Sequence, residues 1–239
     1  MTISLDTYMI HYPDTHRNVH IVVAAGSGSR YGGDLPKQFC DLWGRPMLMT
    51  TLERLDRAAP GARIIVVLSE PMVDMWRDMC REHGFTLPHD IVIGGPSRAH
   101  SVQNAVRTLD AGTTGWVSVH DAARPMVTPA MMGRLLDALD DTHPGAIPTV
   151  AVTDSLRMLT SAGSSVAVDR SLYRAVQTPQ VFDGATIISA NRQEILPVFT
   201  DDASVVEAAG FGPLALVEGD TANIKVTNPG DIESIGKKL

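Results

Sequence analysis

The chain has 239 residues, enough for one α/β domain with a full core, and its composition, 44% hydrophobic and 20% charged, is that of a soluble globular protein. A net charge of −7 and a pI near 5.5 exclude an extended nucleic-acid groove, which needs a basic face, so any polyphosphate site must be a local basic pocket. Two cysteines without metal-ligand spacing, Cys40 and Cys80, predict reduced, partly buried thiols in a cytoplasmic protein, and the histidines suggest no metal site.

Residues 1–18 lack the cationic and apolar segments of a signal peptide, and no later stretch reaches membrane-spanning length, so no membrane partner is expected. They read as a flexible leader before a single domain over 19–239. Residues 19–24 are a predicted strand, and 24–38, A-A-G-S-G-S-R-Y-G-G-D-L-P-K-Q, make a glycine-rich turn with Arg30 and Lys37 at its far end. Gly26, Gly28, Gly32 and Gly33 would permit positive φ and close approach to phosphate oxygens, with a guanidinium fork and an ammonium aimed inward.

Two known glycine fingerprints fail here. Gly28 to Gly33 has P-loop spacing, but Asp34 stands where the lysine must be. Gly26-Ser27-Gly28 opens like a dinucleotide site, yet Tyr31 replaces the third small residue and would hold helix and strand apart.

Downstream, 63–68, 91–93, 116–120 and 146–152 read as strands alternating with helix-period segments, which predicts an α/β fold, doubly wound on a mainly parallel sheet. Met72, Met75, Trp76, Met79, Cys80 and His83 share one helical face, as do Val102, Val106 and Leu109, and the methionines and tryptophan are expected in the core. Residues 155–170 alternate around a loose turn like a β-hairpin, whose two expected fates are to cap the site or to reach a second subunit.

The chemistry-bearing blocks fall at the strand ends. Gly94-Gly95-Pro96-Ser97-Arg98 with Ser101 is a second glycine turn entering a helix. Val119-His120-Asp121-Ala122-Ala123-Arg124-Pro125 puts an acid at the carboxyl end of a buried strand, where open α/β sheets bind ligands, so Asp121 is a candidate for Mg²⁺; the alternative is a helix N-cap. His100 and His120 read as structural or supporting residues. Arg170, Ala175 to Phe182, Thr200 to Glu207 and Asn223 to Thr227 complete the set.

The loop with its Pro36-Lys37-Gln38-Phe39 continuation resembles nucleotidyltransferases that make nucleoside-diphosphate sugars and polyols. Jointly, the blocks from about Val19 to the C-terminus resemble the 2-C-methyl-D-erythritol 4-phosphate cytidylyltransferase family. The resemblance implies a Rossmann-like nucleotidyltransferase fold with a twisted sheet and a protruding β-arm at about 155–172, in a homodimer joined through that arm.

It further implies that Ala24, Ala25, Gly26 and Gly28 wrap the phosphates of CTP, that Gly95 and Ser101 contact the cytosine, and that Asp121 with Ala122 serves ribose and metal. Arg30 and Lys37 would stabilise the transition state. Arg124, Ser155, Arg170, Thr178, Thr200 and Lys225 would hold the polyol phosphate, with Arg170 and Lys225 joining the catalytic cations. Because the incoming phosphate is already an anion, positioning and charge suffice and no general base is needed.

Three departures stand out: Pro96 where an acid often follows the double glycine, Ser155 and Arg157 for the threonine and lysine at the arm's start, and the long leader. The nearest rival is a ribitol 5-phosphate cytidylyltransferase, against which Ala122-Ala123 and Asp202-Ala203-Ser204 look more like the erythritol enzymes. A dinucleotide-dependent dehydrogenase and a non-catalytic nucleotide sensor are the readings from other classes.

Overall fold

The computed structural model describes residues 17–26, 35–161 and 163–236. Strand β1 (Val19–Val23) leads through a 3₁₀ turn at Lys37–Phe39 to helix α1 (Met47–Ala58). The alternation continues with β2 (Arg63–Leu68), α2 (Val73–Glu82), β3 (Asp90–Ile93), α3 (Arg98–Val106), β4 (Trp116–Asp121), α4 (Pro129–Asp137) and β5 (Gly145–Ala151). A hairpin of β6 (Arg157–Leu159) and β7 (Ser165–Ala167) then interrupts it, followed by β8 (Arg174–Val176) and β9 (Gln180–Asp183). Helices α5 (Gly184–Ala190) and α6 (Asp202–Ala208), strand β10 (Ala215–Glu218) and α7 (Pro229–Gly236) complete the chain.

Among the described residues the main sheet runs β10-β5-β9-β4-β1-β2-β3, with β8 added on β5. It is mainly parallel; β9 runs against both β4 and β5, and β8 against β5. The near-continuous apolar runs of β1 and β2 follow from burial on both faces. Val22, Ile64, Val66 and Leu68 join α1, α2 and α4 on one face, whereas Ile21, Ile65 and Val67 join α3, α5 and α6 on the other. This is the period-two alternation of a strand used twice over.

Helix α1 inserts Leu48, Met49, Leu52 and Leu55, all 0% exposed, at helical spacing. Each stabilises the fold by about 1.5–3 kcal/mol through burial, so Leu52→Ala should cost about 2–5 kcal/mol. Helices α3, α4, α5 and α6 start on side-chain caps from Ser97, Thr128, Asp183 and Asp201, the last a capping box with Ser204. In α2 the expected core face is corrected at one position. Trp76 is fully buried, but Met75 is 37% exposed because it sits about 100° around the helix from Trp76.

Arg17 and Asn18, the last two residues of the expected leader, are bonded into the sheet's base. The Gly115 N–H donates to the Arg17 carbonyl, the Arg63 N–H to the Asn18 carbonyl and the Trp116 N–H to Asn18 Oδ1. No helix among the described residues is long and apolar enough to cross a membrane.

The topology decides where a ligand can sit. From β1 the chain proceeds outward to β2 and β3, then returns to place β4 on the opposite side of β1. The carboxyl ends of β1 and β4 therefore flank a topological switch point, with Val23 level with Asp121.

Candidate active site

A cavity of about 750 Å³ opens at this switch point. Its lining brings together Ala24, Ala25, Gly26, Lys37, Gly95, Ser101, Asp121, Ala122 and Lys225 of the sequence-predicted site, with Gln38, Arg98 and Thr227 beside them. Gly28 and Arg30 lie outside the described residues.

Local geometry explains each wall. Gln38 Nε2 donates to the carbonyls of Ala24 (2.7 Å) and Gly26 (3.1 Å), tying the first loop to the 3₁₀ turn that carries Lys37. Gly26 does not take the expected positive φ, and a Cβ there would meet nothing within 4 Å. Close approach falls instead on Gly94, where a Cβ would stand 2.6 Å from that of Ala25. Ser101 Oγ accepts the Gly95 N–H at 3.1 Å and donates to the Ser97 carbonyl at 2.9 Å, so the second glycine turn is folded onto its own helix.

The opposite wall is the turn after β4, braced by the C-terminal segment. Val226 is fully buried in a small cluster with Leu42, Met47, Ala123 and Met126, and its N–H donates to the Ala123 carbonyl. That anchor sets Lys225 Nζ 2.8 Å from Asp121 Oδ2, while Lys37 Nζ donates to the Val226 carbonyl at 3.0 Å.

Asp121 is the electrostatic centre. Arg98 Nε lies 3.0 Å from its Oδ1, and Arg124 Nε 3.8 Å from its Oδ2. Burial works against the carboxylate's charge, but Arg98, then Lys225 and Arg124, more than offset it and hold the carboxyl well below its usual range. The helix-cap alternative fails, because α4 begins at Pro129 under a Thr128 cap.

Arg98, a candidate cation of the basic pocket at the second glycine turn, also reaches Asp202 Oδ2 at 2.8 Å, across 104 residues. Burial raises Asp202 while Arg98 pulls it back. Burial likewise opposes the Arg98 charge, but Asp202 and Asp121 keep it fully protonated. Even with both carboxylates ionised, the three cations leave this cluster net positive by one charge.

Five predicted residues stand apart from the cavity lining, Arg124 among them beside Asp121. Thr178 is 5% exposed, and its Oγ1 accepts the Asp121 N–H at 3.0 Å from behind the turn. Thr200 is exposed just before α6. Ser155 and Arg170 are exposed on the arm, where Arg170 Nη1 donates to the Thr153 carbonyl. Sequence reasoning missed the site-building roles of Gln38, Asp202 and Asn223; Asn223 Nδ2 donates to the Thr178 carbonyl at 2.8 Å, and Arg124 Nη1 to the Asn223 carbonyl at 2.8 Å. The Thr-Asp-Asp and Asn-Ile-Lys blocks were visible, but not which members face inward.

A net-positive cleft at the switch point of a doubly wound sheet is where such proteins hold nucleotide phosphates, and it sets the molecule among nucleotide-handling α/β proteins. Comparison with known proteins narrows this. The model of the 2-C-methyl-D-erythritol 4-phosphate cytidylyltransferase family matches residues 19–236, and the chain belongs to that family. A protein of that name from Bacteroides thetaiotaomicron is 46% identical over 219 residues, covering 92% of this chain and 97% of the relative. Its namesake from Bacteroides fragilis is 44% identical over 214 residues, covering 89% and 95%. The crystal structure of the Francisella tularensis cytidylyltransferase superposes with a TM-score of 0.75 at 28% identity, covering 93% of this chain and all of that one.

Proposed function

We propose that this chain transfers the cytidylyl group of CTP to 2-C-methyl-D-erythritol 4-phosphate, releasing pyrophosphate and giving 4-diphosphocytidyl-2-C-methyl-D-erythritol. The observation that carries the reading is Asp121 at the switch point, ringed by Arg98, Arg124 and Lys225, in a chain matched over 19–236 to that family. The ribitol 5-phosphate alternative is not favoured, since relatives covering some nine-tenths of the chain carry the erythritol name.

In this reading the glycine-rich loop at Ala24–Gly26 and Gly95 holds CTP, and the phosphate of the polyol attacks the α-phosphorus in line as pyrophosphate leaves. Charge gathers on the non-bridging oxygens. Lys37 and Lys225, already held beside the cleft by the Val226 carbonyl and Asp121, meet it with little reorganisation. Arg30 from the loop and Arg170 from an arm add to them. Arg124, Thr200 and Ser155 orient the polyol phosphate.

Mg²⁺ fits this donor set. The ion takes one or two carboxylates and completes its shell with water and substrate phosphates, and Asp121 is held ionised in the cleft. Among the described residues no three His, Cys, Asp or Glu side chains cluster as a metal cage, so Asp121 would hold the ion together with CTP. When bound, Mg²⁺ would neutralise developing phosphate charge.

The working form is a homodimer joined through the arms. Leu159 and Leu172 are 82% and 81% exposed on an arm whose two strands, among the described residues, pair with each other alone, apolar surface that a partner subunit would cover. Soluble substrates and the free Cys80 thiol support a cytoplasmic setting. The test is product analysis: purified protein with CTP, Mg²⁺ and each polyol phosphate should yield the cytidine diphosphate of methylerythritol and not of ribitol.

A further inference from the structure

Asp121 and Arg124 begin and end the turn after β4, and the Arg124 N–H closes it on the Asp121 carbonyl at 3.0 Å. A buried chain holds both ends from behind. The Asp121 N–H donates to Thr178 Oγ1 at 3.0 Å, Thr178 Oγ1 lies 3.0 Å from His120 Nδ1, and His120 Nε2 lies 2.9 Å from the Arg124 carbonyl oxygen. His120 is 0% exposed.

Donor and acceptor capacities fix the polarity of this chain. A carbonyl oxygen only accepts, so Nε2 carries the ring proton. In the neutral ring Nδ1 is then an acceptor, and the single Thr178 hydroxyl proton points at it. Thr178 thereby spends its proton inward and one lone pair on Asp121, and has nothing left to donate to an incoming phosphate.

We propose that His120 is a positioning residue: through Thr178 and the Arg124 carbonyl it fixes both ends of the turn that presents the Asp121 carboxylate and the Arg124 guanidinium. The middle of the turn is braced separately, by the Ala122 N–H donating to the Val23 carbonyl at 3.1 Å, Thr51 Oγ1 donating to the Ala122 carbonyl at 2.9 Å and the Val226 N–H donating to the Ala123 carbonyl at 2.8 Å, which leaves its ends to the histidine chain. A displacement of about 1 Å at such groups costs on the order of a hundredfold in rate.

The proposal rests on the cytidylyl-transfer reading for its kinetics but not for its structure, and the experiment keeps the two apart. Histidine ¹⁵N NMR of the wild-type protein, with His120→Phe assigning the signal, should show the Nε2–H tautomer; an Nδ1–H tautomer overturns the proposal whatever the enzyme does. In the transfer assay, His120→Phe should lower kcat about 10–100-fold with KM for CTP within about threefold, and His120→Gln, whose amide can still donate to the Arg124 carbonyl, should regain about tenfold. Thr178→Val breaks the same chain and serves if His120→Phe does not fold. The double variant should lose little more than the worse single one. Wild-type kcat in either folded variant, or additive losses in the double, rejects the positioning role, whereas absence of any wild-type transfer rejects the functional reading alone.

Discussion

The cleft and the arm are built on opposite principles. At the switch point Asp121 is 7% exposed and Asp202 2%, and Arg98 binds both across three segments of the chain. On the arm, β6 and β7 pair only with each other among the described residues, Arg157 bonds Ser165 across its own hairpin, and the large apolar side chains face outward. The first region is over-determined by its neighbours, while the second leaves its contacts to be made elsewhere. Preorganised charge of this kind suits the nucleotide, which every turnover shares. Ser155 and Arg170 stand on the unfinished region, which fits a site completed by another copy.

The comparison breaks first at its electrostatic centre. Asp121→Asn keeps the shape but removes the charge that holds three cations and would draw Mg²⁺, so activity should fall by about 10³-fold and the apparent Mg²⁺ affinity with it. Metal titration of activity measures this, and an unchanged metal dependence would remove Asp121 from the metal role. Lys37→Ala should come next, with kcat down about 10²–10³-fold and a smaller change in KM for CTP, as expected when a lost charge acts mainly on the transition state. Steady-state kinetics showing near-wild-type turnover would cancel that assignment.

The arm's prediction is smaller and sharper. Arg170→Ala and Lys37→Ala homodimers should each work poorly, because the proposal pairs the Arg170 of one subunit with the Lys37 of the other. Mixed dimers with one mutation per chain then contain one intact site of two, and should regain up to about half of wild-type activity. Light scattering that finds a monomer, or verified mixed dimers without recovery, would undo the shared site.

What the sequence made legible follows the same division. Strand β2 has the expected bounds of 63–68, because five of its six residues are apolar and two buried faces require such a run. Strands β9 and β10 were not foreseen. Each has four residues, and β9 begins with Gln180, whose side-chain Oε1 accepts the Asp202 and Ala203 N–H groups, so its burial depends on α6 rather than on its own pattern. The cleft's residue types were readable because glycines, cations and one acid recur at strand ends. The Arg98–Asp202 pair and the chain through His120 were not, since contacts across 104 and 58 residues leave no local signature.

The mildest expected difference between the two regions is their response to acid. His20 on β1 and His120 on β4 are both 0% exposed beneath the cleft, and the arm contains no histidine. Burial, aided by nearby His120, pushes His20 down to about 3, and burial pushes His120 down to about 4, against about 6.5 in an unfolded chain. Both folded values lie below the unfolded one, so between about pH 6.5 and pH 4 the unfolded chain binds protons that the folded chain refuses. Stability is therefore fully present above that window and falls as the pH drops through it. At about 1.4 kcal/mol per pH unit, each ring should cost on the order of 2 kcal/mol by pH 5. For a chain of this size that is a fall in Tm of several degrees per ring. His20→Gln removes one of these rings and leaves His120 and His89, the latter also lowered by burial, so its Tm should drop less than that of the wild type between pH 7.5 and pH 5, by about one ring's share. Calorimetry at the two pH values decides it: equal drops in the two proteins would mean that His20 takes up its proton without opening the base of the sheet.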